Sequence, residues 1–175
     1  FVGDNNSGKS YLLSLIWAIY AAERNSVIFR DAIELLMEEH PQAYHNVYDC
    51  ISNTKEGMKQ RIKISSSVFV EILNRLLERN KDKFVAGILN SDNVTIGKLA
   101  VILEQEFEVT IAVKNTEDAM EISCKEGHFS LLFHGKSIKE DVRFVTEKVV
   151  EDVLRWFFKG ATGLHGRSTV YLPAA

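Results

Sequence analysis

The chain has 175 residues, a formal net charge of -3 and 46% hydrophobic residues, enough apolar content for one buried core. That charge excludes nucleic-acid binding driven by bulk positive charge. Cys50 and Cys124 lie far apart in no metal-type spacing, so they read as reduced thiols of a cytoplasmic protein.

Gly3-Asp4-Asn5-Asn6-Ser7-Gly8-Lys9-Ser10 matches the phosphate-loop pattern G-x-x-x-x-G-K-[ST] at every fixed position. Phe1 and Val2 read as the end of a buried strand, and Tyr11 to Ala22 as a helix, which is the order of elements the motif needs. Gly3 and Gly8 let the backbone turn so that successive N–H groups converge on a phosphate. The following helix aims its free N–H groups and positive dipole end at the same anion. Lys9, the candidate catalytic residue, reaches the β- and γ-phosphates, and the Ser10 hydroxyl ligates Mg²⁺. Asp4, Asn5, Asn6 and Ser7 line the loop, and Tyr11 completes the candidate nucleotide-binding set. Leu12, Leu13, Leu15, Ile16, Trp17, Ile19 and Tyr20 leave the helix apolar all round, which predicts burial. Glu23 and Arg24 close the run too early for a membrane span.

Residues 30–106 read as a mainly helical insertion. Ala32 to Met37 forms a short helix that Pro41 terminates. Val68, Phe69, Ile72, Leu73, Leu76 and Leu77 make the stripe of a longer helix, with three preceding serines available as caps. Phe84 to Leu89 adds a further turn or two, and Ile96 to Leu103 fits either helix or strand. Lys55, Lys59, Arg61 and Lys63 form the best basic strip, which reads as a solvated loop or helix face.

Residues 107–134 change to a two-residue period. Phe107 to Val113, Met120 to Cys124 and Phe129 to Phe133 are three strands of an antiparallel meander, the last two joined by a turn at Lys125-Glu126-Gly127. Residues 137–159 form a long helix opened by the capping box Ser137-Ile138-Lys139-Glu140 and ended by Gly160. Residues 160–175 are a glycine-spaced connector and a strand, Thr169 to Leu172. Phe1 is not an initiator methionine, and the last residues stop in mid-pattern. The expectation is a stretch of a longer protein.

Several chemistries are missing. Hydrolysis needs an acid at the end of an apolar strand to help hold Mg²⁺. Val27 to Asp31 carries Arg30 within the run, and Val149 to Asp152 lies inside the predicted long helix. Asn80-Lys81-Asp82-Lys83 has its Asp one place early for the guanine-reading motif, so a GTPase is not expected. His40, His45, His128, His134 and His165 make no ligand pair of recognised spacing.

The Asn-rich loop Phe1 to Ser10 resembles the Walker A loop of ABC-type ATPase heads of the RecF, structural-maintenance-of-chromosomes and overcoming-lysogenization-defect (OLD)-like groups. The closing Val170-Tyr171-Leu172-Pro173-Ala174-Ala175 is similar to a Leu-Pro-Ala segment of OLD-like AAA-family ATPases, several of them anti-phage defence proteins. The resemblance implies an α/β P-loop NTPase first lobe with an antiparallel meander and a helical insertion. It implies ATP and Mg²⁺ bound by Gly3 to Ser10, and a homodimer with ATP sandwiched between heads. A nuclease or other effector, with DNA as a target, is the implied partner. No LSGG-like signature, Asp-Glu Walker B pair or switch His occurs, so the stretch is expected to bind nucleotide and hydrolyse it poorly. The alternatives are a small phosphotransferase, with Arg143, Arg155 and Arg167 as candidate lid arginines, or a nucleotide-sensing head without turnover.

Overall fold

Two helices open the described part of the chain, and both follow from apolar spacing. In the computed structural model, residues 26–89, 100–134, 141–161 and 169–171 are described. Helix α1 (Ser26–Glu39) turns Phe29, Ala32, Leu35 and Leu36 inward, each 1% exposed or less. Pro41 ends this helix and also starts the next one, α2 (Pro41–Asn53), at a position where its missing N–H costs nothing. Ala43, Tyr44, Val47, Cys50 and Ile51 fall at helical spacing and are all buried.

The chain then enters a strand that the mainly helical expectation for residues 30–106 did not contain. Strand β1 (Lys59–Ser65) pairs antiparallel with β3 (Glu108–Asn115), from Lys59 opposite Lys114 to Ser65 opposite Glu108. Lys59, Arg61 and Lys63 are therefore the exposed side of an edge strand, not a loop or helix face. Their charges discourage further strand pairing there. Gly57, at φ +75°, makes the turn before β1. Buried Asn115 fastens the same turn: its side-chain amide donates to the Thr54 carbonyl at 2.9 Å, and its own carbonyl accepts the Gly57 N–H at 2.9 Å.

Helix α3 (Ser66–Leu89) follows β1 without a loop and joins the two helical pieces read from the sequence into one. The serines divide their work. Ser65 Oγ accepts the Ser67 N–H at 3.3 Å as a cap. Ser66, fully buried, donates its N–H to the Phe107 carbonyl at 2.8 Å and accepts the Phe107 N–H on Oγ at 3.0 Å. Strand β2 (Ala100–Ile102) resolves part of the ambiguous Ile96–Leu103 stretch as strand, and it pairs antiparallel with β6 (Thr169–Tyr171). Residues 96–99 lie outside the described residues.

The meander is as expected from its alternation, with β4 (Ala119–Cys124) and β5 (Phe129–His134) following β3. The sheet order is β1-β3-β4-β5, four strands where the sequence reading had three. Val109, Ile111, Val113, Met120, Ile122 and Cys124 are buried on one face, while Lys114, Glu121, Ser130 and Leu132 are exposed on the other. The β4–β5 turn takes Lys125 to His128, with His128 at φ +50°. A Cβ on Gly127 would lie 2.8 Å from the Phe129 ring and 3.3 Å from Cys124 Sγ, so a larger residue there would have to displace that ring. Every pairing among the described strands is antiparallel. The architecture is mixed α/β, and the parallel sheet that usually accompanies a phosphate loop is not among the described residues.

Helix α4 (Val142–Ala161) begins later than read from the sequence and runs through Gly160. The capping box Ser137 to Glu140 lies outside the described residues. Asp141 caps the helix instead, its Oδ1 accepting the Phe144 N–H at 2.9 Å. Val145, Val149, Val153 and Phe157 form the buried stripe. Helix α2 lies on β1 and β3, and α4 packs on α1, α2 and α3. Aromatic rings fill the joint: Phe29 meets Phe158 edge-on at 5.8 Å, and Phe157 stacks on both Phe69 and Phe107. Such pairs add to their burial energy through ring quadrupoles.

Two outcomes follow from this packing. Asp141→Ala removes the only described side-chain cap of α4 and should cost about 1 kcal/mol, read by urea unfolding, while Asp141→Asn retains most of it. Cys50 and Cys124 are 4% and 2% exposed, and burial pushes both thiols above the ordinary cysteine range, with the Gly127 N–H drawing Cys124 partly back. Since the thiolate is the reactive form, a disulfide reagent at neutral pH should modify both only after denaturation; rapid modification of the folded chain would contradict this burial.

Candidate functional site

The phosphate loop Gly3 to Ser10, with Lys9 and Tyr11, lies outside the described residues, as does Arg167. The remaining residues singled out from the sequence have definite places. Phe29, Arg30 and Asp31 lie inside α1, so Asp31 does not end a strand. Glu151 and Asp152 lie inside α4, where Glu151 binds Arg155 at 2.6 Å and Asp152 binds Lys148 at 3.3 Å. Arg155 also lies 4.3 Å above the Phe29 ring, and Arg143 is paired with Glu147 at 2.8 Å. Asn80 and Lys81 belong to α3, Asn80 bonding the Leu76 carbonyl and Lys81 pairing with Glu78. These residues serve helices.

One apolar run ending in an acid escaped the sequence reading. Ala100 to Leu103 leads to Glu104, and β2 supplies the strand context that Asp31 lacks. Glu104 is exposed, two residues beyond the end of the strand. The signal was present in the run of four apolar residues before an acid, but the stretch read equally well as helix.

A groove of about 740 Å³ runs between the outer side of α3 and β2. Its α3 wall carries Ser67, Glu71, Asn74, Arg75 and Glu78, residues brought to one side by the 3.6-residue repeat. Asn74 fixes the opposite wall. Its amide nitrogen donates to the Val101 carbonyl at 3.1 Å, and its amide oxygen accepts the Val101 N–H at 2.6 Å. Glu71, Glu78 and Glu106 set three carboxylates against the single cation Arg75. A lining of that sign repels a triphosphate and attracts cations. The groove is not where phosphates of a nucleotide would sit.

Beside the groove, Glu39, His40 and Glu71 bring one donor atom each to within 4.8 Å of one another. His40 Nε2 lies 3.2 Å from Glu71 Oε2, and Arg75 Nε lies 3.4 Å from Glu39 Oε2. Glu39 closes α1, and His40 is locked at the elbow between helices: its N–H donates to the Leu36 carbonyl at 2.9 Å and its own carbonyl accepts the Ala43 N–H at 3.0 Å. Glu71 comes from α3. Sequence spacing does not reveal this group, because Glu71 stands far along the chain from the adjacent Glu39 and His40. Of the other histidines, His45 sits on α2 against Tyr44, His128 in the β4–β5 turn and His134 at the end of β5, while His165 lies outside the described residues.

The basic strip is shared out along β1 and its turn, and Lys63 is paired with Glu108 at 2.7 Å across the strands. No described helix is long and apolar enough to cross a membrane. Comparison with protein families, with curated proteins and with solved structures finds no match to this chain.

Proposed function

We propose that this chain is the ATP-binding part of an ABC-type, OLD-like ATPase head that dimerises on ATP and drives a DNA-directed or nuclease effector. The observation that carries the reading is the sequence Gly3-Asp4-Asn5-Asn6-Ser7-Gly8-Lys9-Ser10, between an apolar dipeptide and an apolar stretch with helix-forming composition. In it the loop amides and Lys9 hold the β- and γ-phosphates, Ser10 takes Mg²⁺, and Asn5 and Asn6 shape the loop. The antiparallel sheet β1-β3-β4-β5 supports the reading, because the heads that the loop resembles carry an antiparallel meander in their first lobe.

Turnover requires more than this. A second carboxylate must help hold Mg²⁺, and a signature motif from a second head completes the site that the resemblance implies. Asp31, Glu151 and Asp152 are helical and, in the last two cases, engaged by Lys148 and Arg155. The phosphotransferase reading is weaker for a related reason: Arg143 and Arg155, its candidate lid residues, are engaged by Glu147 and Glu151 on their own helix.

Titration of a fluorescent ATP analogue with Mg²⁺ tests the proposal. Saturable binding should weaken at least about tenfold in Lys9→Ala, a loss of about 1.4 kcal/mol or more. Ser10→Ala should remove the dependence on Mg²⁺. Absence of binding, or binding indifferent to Lys9→Ala, rejects the nucleotide site. The 175-residue chain should release phosphate at no more than the background rate, and turnover abolished by Lys9→Ala would show that a complete catalytic set is present. Mass measurement with and without ATP then reads dimer formation.

A further inference from the structure

We infer that Glu39, His40 and Glu71 form a binding site for a divalent transition-metal ion of the zinc type. Its ligands are other residues than Ser10, to which the proposed Mg²⁺ is assigned. Its donor set is one imidazole nitrogen and two carboxylates, which suits zinc, with a fourth position left for water.

The geometry of the His40–Glu71 contact is the main argument. The two atoms are 3.2 Å apart, yet Nε2, itself fully buried, makes no directed hydrogen bond among the described residues. An imidazole nitrogen close to a carboxylate oxygen but not aimed at it is unusual for an ion pair. It is the normal relation between two ligands of one metal, since both point at a common centre. With metal–ligand bonds of about 2.0–2.1 Å, neighbouring ligands of a tetrahedral ion stand about 3.3 Å apart. The observed separation matches that edge.

Placement supports the same conclusion. His40 is held by backbone bonds at the α1–α2 elbow, Glu39 is the last residue of α1, and Glu71 projects from α3. Arg75 Nε lies 3.4 Å from Glu39 Oε2 and fixes the position of that carboxylate beside the group. Glu71 and Arg75 also line the acidic α3–β2 groove, whose potential concentrates cations. A bound ion would tie the elbow of α1 and α2 to the side of α3.

Equilibrium dialysis of the nucleotide-free chain against zinc chloride, with cobalt(II) chloride as a spectroscopic probe, tests the site. One ion per chain is expected, with a visible cobalt spectrum of low-symmetry nitrogen and oxygen ligation and no thiolate charge-transfer band. His40→Ala and Glu71→Gln should each lower affinity at least about tenfold. Ser10→Ala, Lys9→Ala and the Cys50→Ser, Cys124→Ser double variant should bind as the parent does. Glu71 is more than half exposed, so Glu71→Gln keeps the test meaningful even where His40→Ala unfolds. Absence of stoichiometric binding, or binding unchanged in Glu71→Gln, overturns the site. Loss of zinc binding in Lys9→Ala or Ser10→Ala would instead place the ion at the loop and overturn it as well.

Discussion

An antiparallel sheet with one apolar face must be covered, and that requirement organises the described part of this chain. Val109, Ile111 and Val113 on β3, with Met120, Ile122 and Cys124 on β4, are all within a few per cent of full burial. Antiparallel sheets tolerate water on the opposite face, which explains why Lys114, Glu121 and Ser130 stand open there. Helix α2 lies over β1 and β3, and α4 closes the helical layer against α1, α2 and α3. At roughly 25 cal/mol per Å² of apolar area removed from water, such burial is the main favourable term. Polar clamps then decide where each element stops.

Those clamps share one design. Ser66 exchanges two hydrogen bonds with the Phe107 backbone, Asn74 exchanges two with Val101, and Asn115 joins Thr54 and Gly57. Ser66 and Asn115 act where a ladder has ended, and Asn74 acts on the edge of β2 that faces α3; in each case backbone groups stay satisfied. Glu126 does the same at the far end of β3, its carboxylate accepting the Thr110 N–H at 2.7 Å. The clamp at Asn74 has a functional consequence. By holding β2 against the side of α3 it creates the groove and leaves Glu71 and Arg75 on its wall.

Legibility in the sequence followed the range of the interactions involved. The meander β3-β4-β5 was readable because its period-two alternation is uninterrupted, and α3 and α4 because their apolar stripes repeat over several turns. Strand β1 was not, although Gln60, Ile62 and Ile64 alternate with Lys59, Arg61 and Lys63. Three cations in seven residues outweigh two isoleucines until β3 is known to lie alongside. Pro41 was read only as a stop because its second role, as the first residue of α2, depends on Ala43, Tyr44 and Val47 finding a surface to cover. Asp141 as the cap of α4 is not singled out by spacing, because several nearby positions carry capping side chains. The phosphate-loop pattern can be matched in the sequence because its fixed positions fall within eight consecutive residues, Gly3 to Ser10, which lie outside the described residues. Glu39, His40 and Glu71 had no such signal, since their meeting is a product of tertiary structure.

The two candidate sites ask for opposite chemistry. A phosphate loop gathers N–H donors and one ammonium group, and its metal is a hard, well-hydrated ion that shares oxygen ligands with phosphate. An imidazole between two carboxylates gathers lone pairs, repels phosphate, and favours an ion able to accept nitrogen as readily as oxygen. Magnesium at Ser10 and zinc at His40 therefore compete poorly for each other's ligands. On the proposed readings the loop would hold phosphates, and an ion at the elbow would tie α1 and α2 to the side of α3.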